Sequence, residues 1–216
     1  MNQNAVSSES SNNGIEFAKW IISNATGGFG PLSSAENLAQ EYMLDKSYPD
    51  NDARVDSLIK WETGKNFSSG FLTGVGGVIS LPAQLTASFA SFAAGYCLQA
   101  RMVTAIAIIY GHNPNDDRIK TVVLLCLCGQ SATDILKIAG VKYTEELCRQ
   151  LIEKLSEETC KKIAELVGEK LISKGTKEAL AALIPLVGGV VRGTFDAVSC
   201  QACGRTAKAF FSNKTQ

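Results

Sequence analysis

The chain has 216 residues, 45% of them hydrophobic, with 21 Lys+Arg balanced by 21 Asp+Glu. That size and apolar content suit one folded domain and exclude a disordered polyampholyte. Zero net charge, with no run of Lys or Arg longer than a pair, argues against a nucleic-acid partner, whose phosphates call for a cationic surplus. The seven cysteines are odd in number and irregularly spaced, and the polar start, residues 1–13, lacks the basic and apolar regions of a secretory signal. The expectation is a cytoplasmic protein with reduced cysteines packed as small hydrophobes.

Residues 1–13, rich in Ser and Asn, are predicted as a disordered tail, and 14–212 as the folded domain. A first helix is expected over about 14–24, broken by the Gly/Pro stretch 26–31. Ser33, with Glu36 three residues on, predicts a capping box opening the second helix. Residues 45–51 read as a loop and about 52–65 as a third helix. The segment Asn66–Ala100 contains no charged residue and no histidine. It predicts a short glycine-rich helix, a break before Pro82, then a long helix to about Tyr110. Asn115 is the expected cap of a helix beginning Asp116-Asp117 and ending near Gly129, and Ser131–Asp134 marks another start. Apolar residues at three- and four-residue steps through 144–173 predict two amphipathic helices meeting near Ser156. A short helix over 177–183, capped by Thr176, and a final helix from Pro185 to about Phe211 complete the chain. No segment alternates with a period of two.

The residues offer little for catalysis. Cys200 and Cys203 have the spacing of a zinc or redox pair, but they fall inside a helix without two further ligands, so packing is the preferred reading. The one histidine, His112, would have to serve any Ser-His-Asp or Cys-His arrangement; its Gly111/Asn113-Pro114 setting reads as an exposed turn. The glycines at 74–77 lack the Lys-Ser/Thr of a phosphate loop. No metal or cofactor is expected.

Charges embedded in apolar helices are more informative. Arg101 follows the uncharged stretch, Asp196 lies in the last helix, and Asp134 and Lys137 share a face at a spacing of three. Buried charge is costly unless paired, so Arg101 is expected to find a partner in the core, with Asp196 a candidate. The alternative is a polar-ligand or lipid-headgroup site around Arg101. Asp117 and Arg118 complete the candidate cluster. Thirty-five uncharged residues exceed the roughly 20 that span a bilayer, yet they are Gly, Ala, Ser and Thr more than Leu and Ile. A buried core helix and a membrane-associating segment both remain open readings of that composition.

Several long motifs carry a resemblance: Ser34-Ala-Glu-Asn-Leu-Ala-Gln-Glu-Tyr42, Leu58-Ile-Lys-Trp61, Gly70-Phe-Leu-Thr-Gly-Val-Gly-Gly77, Leu98-Gln-Ala-Arg-Met102, Cys126-Leu-Cys-Gly129 and Ile184-Pro-Leu-Val-Gly-Gly-Val-Val191. Together they make the chain resemble the EcsC protein family over about 14–211. The resemblance implies a helical fold and a tie to membranes or membrane proteins, because the family is named for a protein encoded beside ABC-transporter components; it implies no particular reaction. It places Arg101, Asp117, Arg118, Asp134, Lys137 and Asp196 on recurring positions. Arg192 and the Cys200/Cys203 pair depart from the family's pattern.

The expected architecture is therefore all-α, a single compact multi-helix bundle with glycine-rich central helices and the 144–173 pair packed outside. The expected function is a non-enzymatic accessory protein of a membrane or membrane complex, peripheral to the inner face of the cell membrane, with lipid or an ABC transporter as partner. A soluble hydrolase-like enzyme using Asp117, Asp134 and Asp196 beside Arg101 is the alternative, and a membrane-inserting pore former the third reading.

Overall fold

The computed structural model describes residues 3–28, 32–66, 90–142, 148–181 and 190–212. Within them the chain forms nine α-helices: α1 (Gln3–Gly27), α2 (Ala35–Leu44), α3 (Asn51–Asn66), α4 (Ala90–Ile109), α5 (Asp117–Leu127), α6 (Ala132–Ile138), α7 (Cys148–Lys154), α8 (Glu157–Ala181) and α9 (Val190–Phe211). They build the all-α bundle that the periodicity predicts.

α4 is the axis. It touches α1, α2, α3, α5, α8 and α9. Its small residues Ala93, Ala94, Ala100, Ala105 and Ala107 are buried together with Leu98, Met102, Val103 and Ile106, so the helix is apolar nearly all round. A helix of that kind is stable only when surrounded, and its alanines let neighbours approach closely. Phe92–Ile109 is long and apolar enough to cross a membrane, but 83% of that window is buried inside the bundle. The central helix is thus alanine-rich. The glycines at 70–77, Pro82 and Pro185 lie outside the described residues.

α1 and α8 form the most extensive pair. α1 buries Phe17, Ala18, Ile21 and Ala25, and α8 buries Cys160, Ile163, Val167 and Leu171, each set at helical spacing. Their closest approach joins two glycines: a Cβ at Gly168 would overlap the Gly14 backbone, and one at Gly14 would sit 2.9 Å from the Glu165 carbonyl oxygen. α3 and α9 meet similarly, with Gly204 against the Ile59 side chain.

A polar network fastens the far end of α4 to α3 and α9. Tyr110 donates its hydroxyl to Asp52 Oδ1 at 2.6 Å, and Asn51 Nδ2 donates to the Ile109 carbonyl at 2.9 Å. Lys208 Nζ reaches Asp56 Oδ1 at 2.6 Å and Asp52 Oδ2 at 3.7 Å.

Several local expectations need correction. α1 begins at Gln3, inside the predicted tail; Ser and Asn are only mildly poor helix formers, and extending a formed helix costs far less than starting one. It runs to Gly27 and stops at Gly28, whose φ of 82° breaks the helix. α8 continues through Thr176 to Ala181 without the predicted restart, since nothing there obstructs propagation. Asp116, not Asn115, caps α5: its carboxylate accepts from the Arg118 N–H at 2.9 Å. The break near Ser156 is present, and its hydroxyl accepts from the Thr159 N–H. His112 is half-buried, not exposed; its Nε2 lies 3.1 Å from the Phe211 carbonyl oxygen and its ring 5.2 Å from the Phe211 ring.

Candidate functional site

The polar centre of the bundle is built from three elements. α4 carries Arg101 inward, with only 4% of the residue exposed; α3 brings Glu62, 2% exposed. The turn before α2 supplies Ser33. Arg101 Nη1 donates to Glu62 Oε2 at 3.3 Å, Nε donates to the Ser33 carbonyl at 2.6 Å, and Nη2 donates to Ser33 Oγ at 2.9 Å. The guanidinium fork thus ties α4 to α3 and to the entry of α2 at once, a task for which its fixed planar donors suit it better than a lysine.

This arrangement explains how α2 begins. The hydroxyl of the predicted cap, Ser33, accepts from Arg101. Ser34 caps instead, accepting from the Asn37 N–H at 3.1 Å. The third residue after the true cap is therefore Asn37, which displaces Glu36 from the reciprocal position of a capping box.

Electrostatically the centre is a neutralised pair. Burial pulls the Arg101 guanidinium below its ordinary value, while the charge of Glu62, then Glu41 and Tyr42, holds it up. Tyr42 belongs to the same environment: burial first, then the charges of Glu62, Tyr48 and Glu41, push its phenol from 10.0 up to about 12. Its ring stacks on Tyr48 at 6.0 Å. Arginine does not exchange its proton at any ordinary pH, so Arg101 is a fixed positive charge that orients Glu62 and Ser33. Three buried oxygens nearby in the sequence, Thr63 Oγ1, Gln99 Oε1 and Thr104 Oγ1, have no hydrogen-bond partner among the described residues.

The other sequence candidates do not join Arg101. Asp117 and Arg118 lie exposed at the start of α5. Arg118 folds over Asp116 with Nη2–Oδ2 at 2.6 Å, and its hydrogen bonds hold the Asp116 carboxyl below the usual range; Asp117 bonds Lys120 at 2.8 Å. Asp134 and Lys137 are exposed on α6. Asp196 lies in α9, and its side chain is outside the described residues. The described ionic partner of Arg101 is Glu62, where sequence reasoning considered Asp196. A signal for Glu62 was present: it continues the buried Val55, Leu58, Ile59 series at helical spacing, and so is a carboxylate on an apolar face.

The sulfur groups behave as packing. Cys97, Cys126, Cys160, Cys200 and Cys203 are buried free thiols and Cys128 is half-buried; Cys148 has no described side chain. Cys200 Sγ lies 4.0 Å from Met102 Sδ. Burial pushes the Cys203 thiol well up and the Cys128 thiol to about 12, away from the reactive thiolate. No group of three metal-ligating side chains occurs among the described residues.

Neither a curated protein nor a solved structure matches the chain. The family model of the EcsC protein family matches residues 18–213, which include every helix of the bundle from the middle of α1 onward, and the chain belongs to that family.

Proposed function

We propose that this chain is a non-enzymatic accessory protein working at the cytoplasmic face of a membrane, on lipid or on a membrane protein such as an ABC transporter. The observation that carries the reading is a stretch of thirty-five uncharged residues between two cations. Lys65 and Arg101 bracket this stretch, Asn66–Ala100, and Arg101 pairs with Glu62, about one helical turn before its start. Its part 67–89 carries no charged residue. An uncharged stretch of that length is chemically suited to a lipid or membrane-protein surface, where each charged side chain would be penalised.

The hydrolase-like alternative draws less support. Its acid/base pair would need two carboxylates beside Arg101, whereas Asp117 and Asp134 are exposed and Asp117 is bonded to Lys120. The pore-former reading shares the same segment and is separated by leakage of dye-loaded vesicles.

Cell fractionation tests the proposal. The chain at native expression level is expected in the membrane fraction and released by alkaline wash as a peripheral protein. Recovery wholly in the soluble fraction, with no membrane protein captured by crosslinking, would reject it.

A further inference from the structure

We draw no further inference here: the strongest candidate, the exposed apolar side chains of Trp61 and Val198 on the packed helices α3 and α9, carries nothing because nothing in the structure shows what covers them.

Discussion

Glu62 and Arg101, thirty-nine residues apart, meet with Oε2 and Nη1 at 3.3 Å inside the bundle. The contact joins α3 to α4 and, through Ser33, fixes where α2 begins. Taking two such charges from water is costly, and their mutual attraction offsets that cost only while both are present. Arg101→Ala is therefore expected to destabilise the fold by about 3–5 kcal/mol, because it strands the Glu62 carboxylate. Urea denaturation would show the loss. Replacing both, as Arg101→Met with Glu62→Leu, is expected to recover most of it; a double variant as unstable as the single one would show that the pair is not the source.

The glycine contact between α1 and α8 gives a second expectation. A methyl group at Gly168 meets the Gly14 backbone, which cannot rotate away. Gly168→Ala should cost about 1–3 kcal/mol or more through overpacking. Gly64 is exposed in α3, and a Cβ there meets nothing within 4 Å. Gly64→Ala should instead stabilise by about 0.5–1 kcal/mol through helix propensity. Thermal melts of the two variants should move in opposite directions.

Tyr42 predicts a response to alkali. Its folded value is raised from 10.0 to about 12, so the folded state holds the phenolic proton more tightly than the unfolded chain does. The contribution is full below pH 10.0 and is lost as pH rises toward about 12. Burial and the bond to Asp52 also raise Tyr110, with the same sign. Tyr42→Phe should flatten the fall in melting temperature above pH 10.0, relative to wild type. An unchanged slope would mean that Tyr42 is not held in this environment.

The buried thiols predict slow chemistry. Cys97, Cys200 and Cys203 are shielded, and burial pushes the Cys97 and Cys203 thiols up, so a thiol reagent should label them only as fast as the fold opens. A chelator should leave the melting temperature unchanged, because the Cys200/Cys203 pair packs in α9 without a described set of ligands. Rapid native labelling of Cys203, or a melt sensitive to chelation, would contradict the packing role.

Much of the fold was legible in the sequence because it follows from periodicity. The apolar spacing of α8, the break at Ser156 and the long helix ending near Tyr110 all stand in the structure. The errors arise where a tertiary partner decides. Ser33 and Ser34 are equivalent as local caps, and only Arg101, far along the chain, selects the second. His112 reads as an exposed turn until α9 brings the Phe211 carbonyl to it. Asp116 displaces Asn115 because Arg118 folds back to complete its hydrogen bonds. The partner of Arg101 was hidden for the same reason: sequence says that a buried arginine needs an acid, and an apolar face containing Glu62 was the clue to which one.

The proposed membrane role is tested most directly by flotation of the purified full chain with vesicles of phosphatidylcholine and phosphatidylglycerol. The expected result is a chain that rises with the lipid. A wild-type chain that remains at the bottom of the gradient, while its melt shows it folded, would contradict a role at the lipid surface.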